Sequence, residues 1–175
     1  MTGKWKQGKY NPKNPDKYKG TLPIVYRSSW EKRVFFFLDH HPAVVEWASE
    51  SIIIPYICQL DNKQHRYYID VNFIINTKDG EQKRYLIEIK PFDQTIPPKQ
   101  PKRKSTKALQ RYNQAVLTYQ KNQDKWTAAR AWANKNGYIF DIWTEKTLGL
   151  WFKYLFLSSY LLKTCKENPC LYSKW

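Results

Sequence analysis

Cysteine is scarce in this chain of 175 residues: Cys58, Cys165 and Cys170 are the only three, and no CxxC pair occurs among them. That argues against a disulfide-stapled secreted scaffold, and an intracellular protein with reduced thiols is the simplest expectation. Acidic side chains are also few, with 15 Asp and Glu against 30 Lys and Arg, for a formal net charge of +15. Solubility alone does not require so large a surplus on a small domain, and its sign favours a polyanionic partner such as DNA. The first apolar run lies well inside the chain at residues 34 to 38, so no secretory signal is expected, and no lipidation motif is visible. Residues 148 to 163 are apolar on nearly every helical face, but the stretch is too short and too interrupted to span a bilayer. No membrane partner is expected. Of three histidines, His40 and His41 are adjacent before Pro42, a pattern that ends a helix more often than it binds a metal.

Aromatic residues are abundant at 17%, including eight Trp. Tyr, Trp and Arg together suit phosphate contacts and base stacking, yet eight Trp in one domain must mostly be packing. The length is that of one domain with a sizeable core. Residues 1 to 23 hold six lysines and no apolar period, and are expected to form an extended basic arm that orders on a partner. Residues 24 to 147 are expected to be the core, and 148 to 175 an apolar helix that closes the core or docks on a partner, followed by a basic tail.

Within the core the spacing predicts a helix over 29–40, a connector over 44–50, and a strand over 52–59 near an edge because of Pro55. Two strand-like runs follow, 66–76 and 83–90, joined by Thr77-Lys78-Asp79-Gly80, whose Asp-Gly pair is a strong hairpin signal. Residues 91–107, with four prolines and five basic residues, read as an exposed loop. Residues 108–136 read as two helices dividing near Asn122 to Asp124, Gly137 as a helix C-cap and 138–144 as a returning strand. The expected class is α/β, a mixed sheet flanked by helices.

The hairpin carries the chemistry. Side chains alternate along a strand, so Glu88 and Lys90 share one face and Ile87 and Ile89 the other, while Asp70 stands opposite Ile69 and Val71. Mg²⁺ prefers oxygen ligands and is commonly held by one or two carboxylates plus substrate phosphate, so Asp70 and Glu88 on paired strands make a seat for it, with Lys90 facing the attacking water. Charged pairs on the solvated face of an ordinary hairpin have the same appearance, worth about 0.2 to 1 kcal/mol each.

Asp70, then Glu88-Ile89-Lys90 after a hairpin, preceded by Ser28-Ser29-Trp30-Glu31 at a helix start, resembles the PD-(D/E)XK nuclease superfamily with its restriction-endonuclease-like core, and within it the branch of TnsA-type transposon endonucleases. The opening basic stretch, Tyr26-Arg27-Ser28-Ser29-Trp30-Glu31 and His65-Arg66-Tyr67-Tyr68-Ile69-Asp70 resemble more closely still the head completion proteins of T-even-like tailed phages, over residues 1 to 148. The resemblance implies Asp70 and Glu88 as ligands of Mg²⁺, with Mn²⁺ as the alternative, Lys90 as catalytic lysine and Glu31 as a further carboxylate of the site. Ile69 departs from the Pro that often precedes the metal-binding Asp, a residue that shapes the strand. Ser28-x-x-Glu31 is also a capping box, and spacing alone favours capping for Glu31; Glu50 is a second-rank acidic candidate.

The implied activity is trimming or cutting of DNA at the neck of a filled phage head, so that head and tail can join, in the host cytoplasm during assembly or at the virion neck. Neck or portal proteins would be partners. Lys99, Lys102, Arg103, Lys104, Lys107 and Arg111 follow the catalytic strand and are the expected DNA contacts, with little sequence preference because no base-reading helix is apparent. The rivals are a non-catalytic adaptor that binds DNA and portal with the same charge, and a transposase-like strand-cleaving endonuclease.

Overall fold

The computed structural model describes residues 7–77, 79–103 and 105–149. Ser28 takes an extended backbone and accepts the Glu31 N–H, starting α1 (Ser29–His40), and His41 closes it by donating its N–H to Phe37 O. Val34, Phe35, Phe37 and Leu38 on the inner face of α1 pack on one side of a four-stranded sheet. With β1 (Gly8–Tyr10), β2 (Ile24–Tyr26), β3 (Val44–Ser49), β4 (Ile53–Cys58), β5 (Lys63–Tyr68), β6 (Val71–Asn76), β7 (Gln82–Ile89) and β8 (Ile139–Trp143), the main sheet runs β3-β6-β7-β8. Its first two pairings are antiparallel and β7-β8 is parallel. A helix between β7 and β8, α2 (Thr106–Asn136), makes the crossover that a parallel pair requires.

The expected β6-β7 hairpin is present, closed by Thr77 and by Gly80 at φ 82°, a left-handed conformation that Gly adopts without penalty. Other expectations are corrected. The stretch 44–50, read as a connector, forms β3 and carries Trp47, 1% exposed, into the core. The single run 66–76 is two strands, and the pair of helices over 108–136 is one helix. Asn122 and Asp124 are not a break: they face inward, where Asp124 accepts the Gln59 N–H at 2.9 Å from the tip of the β4-β5 hairpin. Polarity marks a helix boundary only where no buried partner exists for it.

The free arm is also corrected, from residue 7 onward. Asp39 on α1 is fully buried and accepts from Tyr10 OH (2.9 Å), Lys13 N (2.7 Å) and Asn14 N (2.9 Å). Tyr10 and Tyr18 set their rings edge-on to Trp47 at 6.0 and 4.7 Å. The segment is held by aromatic edges and a buried carboxylate, which leave no apolar period to read.

A second core lies on the other face of the sheet, where Ile54, Tyr56, Cys58 and Tyr67 of the β4-β5 hairpin meet Leu86 of β7 and Trp126, Ala129 and Ala133 of α2. Gly137, at φ 71°, caps α2 as expected. Beyond β8, Leu148 is buried with the α1 side. The remainder of the expected C-terminal helix and tail, residues 150–175, lies outside the described residues, as do residues 1–6.

Candidate active site

The pair β3/β6 continues directly into β4/β5, but the ribbon kinks where they meet. Ser49 pairs with Val71 and Ile53 with Tyr68, so residues 50–52 oppose only 69–70. One extra residue against a partner strand is a bulge, which bends the ribbon and re-aims side chains. Glu50 takes the left-handed conformation there, φ 50°, and its N–H donates to Asp70 O. The bend reverses the faces: Ile69 enters the second core and Val71 the first, although strict alternation places them together. Asp70 sits at the kink, with Ile69 before it and the kink supplying the local shape.

Asp70, Glu88 and Lys90 meet at this point, and the charge of Glu31 acts on Asp70 and Lys90. Asp70 Oδ2 accepts the Ile89 N–H at 2.7 Å, which ties the kink to the end of β7. Glu88, 2% exposed, accepts from Tyr67 OH at 2.7 Å through Oε2 and pairs with Lys90 Nζ at 2.6 Å through Oε1. Burial is the main force pushing the Asp70 carboxyl up to about 8, and the Glu88 carboxylate is next, with Glu31 adding to it. Asp70 keeps some exposed surface, yet the protein packed around it is dense enough for desolvation to dominate. Burial lowers the Lys90 ammonium, but the charges of Glu88 and Asp70 and the Glu88 hydrogen bond raise it above its usual range. Lys90 is therefore a cation at neutral pH.

Glu31 performs its capping role in a modified form. Its carboxylate accepts from Ser28 Oγ (2.8 Å) and from the Arg27 N–H (2.8 Å), one residue earlier than the expected Ser28 N–H. Its charge also acts on Asp70 and Lys90 while it caps α1. Glu50 pairs with the Arg27 guanidinium at the rim.

Two participants have no local signal in the sequence. Tyr67 falls on the apolar parity of its strand, and only the second core brings its hydroxyl to Glu88; burial, then the Glu88 charge, raises the phenol far above its usual range. Lys125 on α2 has Nζ 5.4 Å from the centre of the Tyr67 ring. Desolvation lowers its pKa, Lys90 and Lys121 add to that, and Glu88 and Asp70 act in the opposite sense. Of the expected DNA contacts, Lys99, Lys102 and Arg103 are exposed on the segment after β7, Lys107 and Arg111 on the first turns of α2, and Lys104 lies outside the described residues.

The donor set of the centre fits a hard divalent cation. Its carboxylates offer oxygen alone, and burial first, then the Glu88 charge that Lys90 only partly offsets, makes Asp70 resist ionisation. Elsewhere, Cys58, Asp61 and His65 bring one donor atom each within 4.8 Å of one another at the tip of the β4-β5 hairpin, a group able to hold a metal ion. Its thiol and imidazole suit a softer metal than magnesium, and His65 Nε2 and Asp61 Oδ2, 2.9 Å apart, already close the turn.

A mixed sheet between helices, bearing an Asp at a strand kink and Glu-x-Lys on the adjacent strand, defines a restriction-endonuclease-like protein. The chain belongs to the TnsA-like endonuclease N-terminal family, whose pattern matches residues 41–145. It is similar to the head completion nuclease of Enterobacteria phage T4, at 42% identity over 142 residues that cover 81% of this chain and 92% of that protein. No solved structure matches it. The family span contains Asp70, Glu88, Lys90 and Lys125 but not Glu31, which stands before it.

Proposed function

We propose that this protein is a metal-dependent DNA nuclease of phage head completion, trimming packaged DNA at the neck before the tail joins. The observation that carries this reading is the convergence of Asp70, Glu88 and Lys90 at one kinked strand junction, with the charge of Glu31 acting on Asp70. Asp70 and Glu88 would hold Mg²⁺ or Mn²⁺, with Glu31 completing the set. The bound ion supplies neutralisation of phosphate charge and a more acidic water. Lys90, fixed by Glu88, orients the attacking water and stabilises charge as it develops on phosphorus oxygens. Tyr67 holds Glu88 in one orientation, and the Ile89 N–H does the same for Asp70. The fifteen surplus positive charges favour phosphate-dominated binding with little sequence preference. Lys99, Lys102, Arg103, Lys104, Lys107 and Arg111 are the proposed contacts. Neck or portal proteins are the proposed partners, and action in the host cytoplasm during assembly or at the virion neck follows from that role. Among the described residues no helix is long and apolar enough to cross a membrane.

Plasmid nicking in Mg²⁺ tests the reading. Asp70→Asn, Glu88→Gln and Lys90→Ala should each lower cleavage by about 100-fold or more while leaving duplex binding nearly unchanged. In chelator Asp70→Asn should melt no lower than the parent: the raised pKa means that ionising Asp70 at neutral pH costs native stability, which falls as pH rises from the unfolded value of about 3.9 toward about 8. Wild-type nicking by Asp70→Asn would leave the adaptor role in its place.

A further inference from the structure

The polar face of α2 leads into the acidic centre. Lys107 and Lys125 are eighteen residues apart in sequence, about five helical turns, so they stand in line, and Arg111, Gln114, Thr118 and Lys121 fall within roughly 40° of that line. Lys107, Arg111, Gln114 and Lys121 are exposed, and Thr118 is half-buried. Arg111, Gln114 and Thr118 form one wall of a groove whose other wall is the segment Asp93, Gln94, Ile96 and Pro98, directly after Lys90. Asp93 is the acidic residue on that far wall. Along α2 the sole carboxylate is Asp124, turned away to the hairpin tip. At the inner end Lys125 lies beside Tyr67, the residue that holds Glu88, and senses the charges of Glu88, Lys90 and Asp70.

We infer that this face of α2 is the track for the phosphates of one DNA strand, ending with the Lys125 ammonium on the phosphate that is cut. The inference rests on the nuclease reading above and specifies how its substrate enters. The span from Lys107 to Lys125 is about 27 Å at 1.5 Å per residue, the axial length of about eight base pairs of B-form duplex. Four cations, an amide and a hydroxyl spaced along it give backbone contacts without base readout, and the groove between α2 and residues 93–98 accompanies the middle part of the line. Lys125 is half-buried and rests over an aromatic ring. It is therefore held in place before a phosphate arrives, unlike a mobile surface lysine.

The test measures duplex affinity by fluorescence anisotropy against salt, in chelator so that no cutting occurs, with the full chain. The triple variant Lys107→Gln, Arg111→Gln, Lys121→Gln should flatten the slope of log K on log salt by about three. A charge-matched control on other exposed sites, Lys9→Gln, Lys63→Gln, Lys83→Gln, should leave it nearly unchanged. Lys125→Gln should lower the slope by about one and the maximal cleavage rate by about 100-fold at saturating DNA, with Lys125→Arg restoring part of the rate. Equal slopes for the two triple variants overturn the track, as does full cleavage by Lys125→Gln. Wild-type cutting by Asp70→Asn would instead defeat the nuclease assignment and leave the salt measurement to judge the track by itself.

Discussion

Glu31 receives hydrogen bonds from Ser28 and Arg27 while its charge acts on Asp70 and Lys90. The two duties respond differently to substitution. Loss of a cap costs about 0.5 to 2 kcal/mol and leaves chemistry intact; loss of a site carboxylate abolishes chemistry. Glu31→Gln keeps an oxygen for the Arg27 N–H, and its amide N–H can donate to Ser28 Oγ in place of accepting from it, so it should melt near the parent and yet fail to nick plasmid DNA. A melting point lowered with full nicking would make Glu31 a cap alone. Asp39 offers a residue-scale test in the other core. Burial opposes its charge, but the Lys13 and Asn14 N–H groups and the Tyr10 hydroxyl hold its pKa below the usual carboxylate range. The folded value lies below the unfolded value of about 3.9, so this stabilisation is present above that pH and is lost as pH falls through the folded value. Asp39→Ala should cost about 3 kcal/mol at neutral pH, since it strands the buried Tyr10 hydroxyl and two part-buried backbone donors, and its stability should fall less than the parent's on acidification in urea melts. Limited proteolysis should then cut within residues 7–23.

The junction of β3/β6 with β4/β5 is the element on which the site depends. A ribbon that ran straight would point Ile69 and Val71 to one side; the bulge at Glu50 separates them and leaves Asp70 at the bend, against the Ile89 N–H. The far end of the same ribbon is fastened to α2, where Asp124 accepts the Gln59 N–H and the Gln120 amide. Asp124→Ala should therefore destabilise by about 1 to 3 kcal/mol. Amide exchange should speed up at the hairpin tip, residues 58–63, before it does in β7. Uniform loss of protection across both cores would mean that the tip is not a separable anchoring point.

At the scale of the whole molecule, the first residue of the apolar run that begins at 148 is part of the packed core. Leu148, 5% exposed, joins the α1 core, and its N–H donates to Thr144 O at 2.9 Å. A chain ending at Glu145 loses that side chain and should be less stable than one ending at Gly149 by about 2 kcal/mol, read from denaturant midpoints. Equal midpoints would remove Leu148 from the core's energetics. The proposed division at 147/148 thus cuts between two neighbours of one packed segment.

Much of this protein was fixed locally. Ser28 at a helix start, Asp79-Gly80 at a hairpin turn, Gly137 at a helix end and the alternation of Ile87, Glu88 and Ile89 are short-range features, and each takes the form its neighbours dictate. The acidic centre was legible for the same reason, because Glu88 and Lys90 share a face on one strand and Asp70 lies near the hairpin that pairs with it. What only the tertiary structure decided depends on groups distant in sequence. Trp47 makes a strand of a stretch that reads as a connector, Asp39 folds residues 7–23 onto α1, and Asp124 keeps α2 continuous by meeting Gln59. Tyr67 and Lys125 reach the centre only when the kinked ribbon and α2 close the second core over β7. A buried polar group is satisfied by whichever partner the fold brings to it, and neither spacing nor period along the chain encodes that partner.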